Sequence, residues 1–414
     1  VRSVLGGTAW LTLGTVASQA SAAILYIFVA RSAGPQAFGT VMAAIGVALV
    51  GSDVCDFGMK LWVLAVGTRA EPAEIIAQHQ RKVTVALVVS VVAAALVAAV
   101  QAARGTGPDA TALVPFILVG HLAVVSGASI AVRTGQARTA SVLTFLERFV
   151  AAVVGLGLLA VGVSGLPALV IGLVVGEVAA IGYQSARLEH GRELLTLRLS
   201  GLRGQLRRGL PFAASDLASD VIQLHVVIVG AVAGASAAGD YAAATRLMAV
   251  FVIATGSLST ILLPALSGSG AGGAHLFRRS LWLLAGGVAA GALLVAALAP
   301  WIVELVYGPA YAAAAGAVRT YCLVVLLVSV GQPLSAALQA NGRQSLVARV
   351  ELAAMLPSAL LVALGARQWG AAGGAVGAAV VLVPVVARYT CAWRRHTRRP
   401  GTPVPALSDP EVVR

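Results

Sequence analysis

The sequence predicts an all-α polytopic membrane protein of about twelve transmembrane helices, arranged as two six-helix halves around a central cavity. Three observations predict it. Of the 414 residues, 59 % are hydrophobic and only 11 % are charged, where a soluble domain carries about 25 % charge. Mean hydropathy is +0.91, and apolar stretches of about 20 residues, the length that crosses a bilayer, recur from end to end. The two halves of the chain also resemble each other. A soluble enzyme, a disulfide scaffold, a disordered chain and a nucleic-acid-binding domain are excluded as global readings. The net charge of +13 is explained by membrane topology rather than by nucleic acid.

Spans are expected at roughly 4–30, 37–66, 83–102, 111–131, 142–162, 166–186, 211–233, 241–266, 280–305, 313–338, 346–366 and 370–392. The first is too long for the core of a cleavable signal, about 7–15 residues, and reads as a membrane helix. Basic residues alternate across the linkers. One side carries Arg2; Arg69, Arg81 and Lys82; Arg133 and Arg138; six arginines between 187 and 208; Arg278 and Arg279; Arg343; and Arg394, Arg395, Arg398 and Arg399. The other has Arg31, Arg104 and Arg367, with Arg319 near its edge. Positive residues stay inside, so both termini are expected in the cytoplasm.

The chain divides into an N-terminal six-helix half (1–186), a basic cytoplasmic linker (187–209), a C-terminal six-helix half (210–393) and a basic, Pro-rich cytoplasmic tail (394–414). The linker suits anionic headgroups or plain solvation, and the tail is expected to be disordered. Cys55, Cys322 and Cys391 form no CxxC and are odd in number, so neither a disulfide framework nor a cysteine metal site is expected.

The halves match in several places. ARSAGPQAFGT at 30–40 aligns with GAVAGASAAGDY at 230–241, with Gly34 and Gly39 falling on Gly234 and Gly239 at a shift of 200. VRTGQAR at 132–138 aligns with LQANGRQ at 338–344, and SGLPAL at 164–169 with WGAAGGAV at 369–376. An even number of spans gives both halves one orientation, so the repeat axis runs along the membrane normal with a cavity between the halves.

An ionisable group at bilayer depth is costly, about 2.5–3.5 kcal/mol on insertion scales, unless it faces a cavity or a partner. Asp53, Asp56 and Lys60 share one helical face of the second span, and Asp216, Asp220 and Gln223 one face of the seventh. Thr8, Thr12, Thr15 and Gln19 make a polar stripe on the first, and Gln332, Ser335 and Gln339 another on the tenth. Such stripes line a wet cavity or bond helix to helix. Lys60 suits a local pair with Asp56, a snorkelling cation or a substrate contact. Arg246 lies too deep for a topology signal; its fork suits phosphate, or a salt bridge to Asp216 or Asp220. Glu147, Arg148 and Glu177 add charge to the fifth and sixth spans, while His121 and His225 read as packed interior histidines. GLGLLA at 155–160 lacks the strand a dinucleotide loop needs. No P-loop, HExxH or exposed catalytic set appears in a sizeable loop, so neither an enzyme, a cofactor nor a metal is expected.

Several motifs resemble those of bacterial polysaccharide flippases. ARSAGPQAFG at 30–39 resembles their "R-x-L-G-P-x-x-F-G" turn, with Ala33 standing where Leu is usual. DFGM at 56–59, GDYAAATRL at 239–247, YGPAYAAAA at 307–315, QANGRQ at 339–344 and GAAGGAVGAA at 370–379 follow in the family's order. The chain thus resembles the Wzx-type (O-antigen and exopolysaccharide) branch of the multidrug/oligosaccharidyl-lipid/polysaccharide exporter superfamily. The resemblance implies a MATE-like fold in the cytoplasmic (inner) membrane of a bacterium. It also implies a polyprenyl-pyrophosphate-linked oligosaccharide as substrate, flipped by alternating access, with membrane lipid around it. Arg246 and Lys60 would neutralise the diphosphate. Thr8, Thr12, Thr15, Gln19, Asp53, Asp56, Asp216, Asp220, Gln223, Gln332 and Gln339 would line the cavity. Glycosyltransferases and a glycan polymerase would be partners, and H⁺ or Na⁺ or the membrane potential would drive the step. Two alternatives stay open: a multidrug or cation antiporter of the same superfamily, and a non-transporting scaffold of a cell-envelope complex.

Overall fold

The structure is a computed structural model that describes residues 2–59, 71–105, 109–205, 223–266 and 271–398; side chains at 2–9, 253, 254, 257–276, 340 and 396–398 fall outside the described set. Among the described residues the chain forms helices and turns, with no strand. In chain order the helices are α1 (Arg2–Asp56), α2 (Pro72–Ala103), α3 (Val114–Arg133), α4 (Ala137–Ala160) and α5 (Gly165–Arg187). They continue as α6 (Gln223–Ala233), then α7 (Ala235–Leu266), α8 (Ala271–Tyr307), α9 (Ala314–Ala340) and α10 (Gln344–Arg398).

Eight of the described helices are long and apolar enough to cross a membrane. Two of them, α1 and α10, hold 47 and 52 apolar-helix residues, more than twice the ~20 that one crossing needs. Each bends once. In α1 the bend is Gly34 (φ 75°), with Pro35 next in line; in α10 it is Trp369 and Gly370 (φ 59°). These bends fall where the sequence places the junctions of the first two and last two spans. An all-helical chain suits this solvent, because in lipid every backbone group must be satisfied within the protein. Leu96, Leu293, Leu356 and Val383 are exposed and face the surroundings as lipid-contacting side chains do.

One predicted boundary needs correction, and one expected span is broken by a turn. Phe57 (φ 53°) and Gly58 (φ 70°) are left-handed and interrupt the second span after Asp56; positions 60–66 of that span lie outside the described residues. The third helix begins at Pro72 rather than 83, so the polar run Gln78–Lys82 is helical and, Arg81 apart, buried instead of lying in a loop. His79, Gln80 and Arg81 are satisfied by partners on other segments, whereas Gln78 Oε1 has no hydrogen-bond partner among the described residues. His79 Nδ1 lies 2.7 Å from Ser126 Oγ, and Gln80 donates to the Glu193 carbonyl and the Thr196 hydroxyl at 2.7 and 2.6 Å. Arg81 donates to the Ser200 carbonyl at 2.5 Å. The linker is therefore anchored rather than simply solvated: Leu188 and Leu194 are buried with Ala131 and Ala140.

The main core runs between α1 and α7, which pack along one another. Leu25, Val29, Phe38 and Ile45 of α1 and Tyr241–Ala244 of α7 are buried in one cluster with Tyr311. The small side chains of Ala242, Ala243 and Ala244 let the helices approach closely, which is how packing holds helices together when lipid is as apolar as the core.

Candidate functional site

At one end of the α1–α7 contact, the repeat-matched glycines meet. A Cβ on Gly39 would run into the Ala235 carbonyl and the Gly239 backbone, and a Cβ on Gly239 into the Pro35 carbonyl. Gly34 and Gly234 share a left-handed backbone (φ 75° and 91°), as do Gly135 and Gly342 (φ 75° and 72°). Around this contact, Tyr311 donates to the Ala30 carbonyl at 3.1 Å and packs edge-on against Phe38. Arg31 donates to the Leu305 carbonyl at 3.3 Å. This end is closed.

Further along the same pair of helices a cavity of about 470 Å³ opens. Thr12, Gln19, Tyr26, Arg246 and Tyr307 are its polar walls, with Val16, Ile27 and Val250 among the apolar ones. The Arg246 guanidinium lies over the Tyr26 ring, 4.5 Å from its centroid, in cation–π geometry. Among the described residues no carboxylate is within ion-pair distance of Arg246. Tyr307 donates to the Ala243 carbonyl at 3.1 Å, which steadies the opposite wall.

The other candidates are dispersed. Thr15 is exposed, its hydroxyl donating to the Leu11 carbonyl at 2.9 Å. Asp53, Asp56 and Gln223 line a separate hollow of about 130 Å³ with Ser52 and His121. Asp56 is paired, at 2.5 Å, with Lys82 of α2. Gln332 and Gln339 are exposed, and Gln339 donates to Ser335 at 3.1 Å. The Thr8 side chain, Lys60, Asp216 and Asp220 lie outside the described residues. His225 is a packed interior histidine, 3.2 Å from the Tyr241 hydroxyl and 2.9 Å from Ser358 Oγ.

A second polar group sits behind Tyr26. Glu147 of α4 pairs with Arg148 at 3.1 Å, and His121 Nδ1 of α3 lies 3.6 Å from the same carboxylate oxygen. The ligand atoms of His121, Glu147 and Glu177 all fall within 4.8 Å of one another. Glu177 of α5 is 3 % exposed, its Oε1 has no hydrogen-bond partner among the described residues, and its carboxylate occupies space that any side chain at Gly120 would fill. Arg148 also interacts electrostatically with the Tyr26 hydroxyl. Tyr26 thus joins the two groups: one arginine interacts with its hydroxyl and another covers its ring. The sequence shows the charges of this cluster, but a lone tyrosine in an apolar span carries no signal of its role. A divalent metal is poorly served here, because Arg148 already supplies positive charge to Glu147. A proton or a monovalent cation suits the set better.

A bent-helix membrane bundle with a polar cavity between two matching segments is the architecture of the MATE-like fold. The chain belongs to the family described as "Polysaccharide biosynthesis protein", which matches residues 4–269. Solved structures agree on the fold. The lipid II flippase MurJ in an inward closed conformation matches with a TM-score of 0.70 at 12 % identity, over 93 % of this chain and 87 % of that one. An inward-facing multidrug resistance MATE family transporter of the MOP superfamily matches with 0.68 at 14 %, over 92 % and 94 %. A MOP superfamily transporter from Pyrococcus furiosus, described as having a binding pocket of reverse polarity, matches with 0.58 at 13 %, over 95 % of each. No curated protein matches the chain. It is a multi-pass membrane protein of that family with the fold these transporters share.

Proposed function

We propose that the chain flips a polyprenyl-pyrophosphate-linked oligosaccharide across the cytoplasmic membrane for surface polysaccharide biosynthesis, acting as a transporter and not as an enzyme. The observation that carries this reading is Arg246: a guanidinium in a cavity between helices, stacked on Tyr26 and paired with no described carboxylate. In a poorly solvated cavity such a charge favours an anion, and its fork matches a phosphate. A cationic drug would meet repulsion there, which weighs against the antiporter alternative. The volume of about 470 Å³ lies within the range of small-molecule sites, about 300–1,000 Å³. It takes a diphosphate with its first sugars, while Thr12 and Gln19 replace water around the hydroxyls.

In this reading the halves 1–186 and 210–393 rock about the contact between α1 and α7. The closed glycine end faces away from the cytoplasm, both termini lie inside, and glycosyltransferases and a polymerase act before and after the flip. The His121–Glu147–Glu177 cluster carries the coupling ion: two carboxylates against one arginine need one more positive charge when buried. We assign that charge to an exchangeable H⁺, with Na⁺ as the competing ion. Tyr26 relays the change to Arg246.

The test is complementation of surface polysaccharide by Arg246→Ala and Arg246→Lys at matched protein level. Loss of a charge-assisted contact worth about 1.5–3 kcal/mol predicts a roughly 10–150-fold loss of transport for Arg246→Ala, with Arg246→Lys intermediate. Full rescue by Arg246→Ala would remove Arg246 from the path. Normal function after joint loss of Thr12, Gln19 and Arg246 would favour the scaffold alternative.

A further inference from the structure

The two arms of α10 enclose a second feature that the transport cavity does not use. Between them runs a groove of about 600 Å³. Its floor is apolar, including Leu346, Leu361, Val381 and the in-helix prolines Pro357 and Pro384. Four arginines line it at one end: Arg343, Arg349, Arg388 and Arg395. Among the described residues no carboxylate lines it. Arg343 and Arg395 stand at the mouth. Arg349 and Arg388 sit six and seven residues further in, about 10 Å at 1.5 Å per residue. That depth is close to the headgroup layer of one leaflet. Arg349 Nε donates to the Ser345 carbonyl at 3.0 Å, an intrahelical bond that leaves its terminal nitrogens for a ligand.

We propose that this groove binds an anionic phospholipid of the cytoplasmic leaflet, its phosphate among the four arginines and its acyl chain in the apolar trough. Charge complementarity selects the occupant. Four like charges converge on one mouth without an acid between them, and basic pockets between membrane helices recruit anionic headgroups. The trough continues below the charges, which a soluble phosphate would leave empty and an acyl chain fills. The site stands apart from Arg246 and does not depend on which substrate is flipped.

Cys391 reports on it directly, being exposed and in the groove wall while Cys55 and Cys322 are buried. The full chain is reconstituted in nanodiscs of phosphatidylcholine alone or with phosphatidylglycerol, and Cys391 is alkylated with uncharged N-ethylmaleimide. Retained phospholipid is counted by native mass spectrometry. Phosphatidylglycerol is expected to slow alkylation and to remain bound. Arg349→Gln with Arg388→Gln is expected to weaken retention about 30-fold and to restore fast alkylation. The exposed pair Arg278 and Arg279, substituted the same way, controls for general surface attraction. Equal losses in the two double variants would overturn the proposal, as would equal alkylation in both lipid mixtures. Shielding of Cys391 by a lipid-linked diphosphate but not by phosphatidylglycerol would also overturn it, and would make the groove a substrate port. All four substitutions are at exposed positions, so a monodisperse elution profile checks that each variant is folded.

Discussion

Cutting one side of the Asp56–Lys82 pair is expected to cost far more than removing both. The two charges meet at 2.5 Å between the end of α1 and the buried first third of α2, and their side chains are 7 % and 3 % exposed. With an effective dielectric of about 20, Coulomb attraction at that separation is about 6–7 kcal/mol. Most of it offsets the desolvation of two ions, so the intact pair is worth little against an apolar replacement. Removing one partner is different, because it strands a buried charge, at a cost of about 3–5 kcal/mol. Asp56→Asn and Lys82→Met should each lower the unfolding temperature of the purified chain strongly. The double variant should recover most of the loss, giving a coupling term of about 2–4 kcal/mol, near the top of what contacting residues show. The assay is thermal unfolding followed by size exclusion in one detergent, with the four proteins run as a cycle. Additive losses, or single variants as stable as the parent, would refute the ion-pair argument. A double variant that is stable yet silent in complementation would instead place Asp56 in the transport path.

Other outcomes follow from the same geometry. Gly239→Ala puts a methyl group against the Pro35 carbonyl and should loosen the closed end. In a background without the three native cysteines, a cysteine at Ala37 should then react faster with an impermeant maleimide; unchanged labelling counts against a gate at the glycines. Glu177→Gln leaves Glu147 balanced by Arg148 alone, so the variant should fold normally and transport should lose its response to an imposed pH gradient; a retained response would clear the cluster of a coupling role. In the linker, the Glu193 carboxylate 2.8 Å away raises the pKa of exposed His190 above its ordinary value. That contact is fully formed below about pH 6.5 and is lost as pH rises through the raised value. A His190 titration by NMR in Glu193→Gln should therefore move to lower pH.

Much of the fold is legible because bilayer thickness leaves few choices for an apolar chain. A run of about 20 apolar residues must be a helix, and glycines at 34 and 234 mark turns because only glycine takes a left-handed φ without strain. Arg246, Thr12 and Gln19 stand out by polarity at depth, and they line one cavity. What stayed hidden shares one cause. His79 and Lys82 read as a loop because polarity along the chain says nothing of partners 47 and 26 residues away that satisfy it. Tyr26 is silent for the opposite reason, an aromatic among apolar neighbours whose role comes from two arginines on other helices.

That asymmetry bears on the proposed transport. His121, Glu147 and Glu177 come from three helices and meet only in the folded bundle, next to the tyrosine that carries Arg246. In the proposed coupling, a proton bound there would change the charge facing Arg148, which interacts with the hydroxyl of the ring on which Arg246 rests. The two sites need no long pathway, since a single side chain touches both. If Tyr26 is the link, Tyr26→Phe keeps the ring for Arg246 but loses the hydroxyl interaction with Arg148. It should leave substrate affinity near normal while reducing the pH dependence of transport. Equal damage to both would mean that Tyr26 serves only as packing.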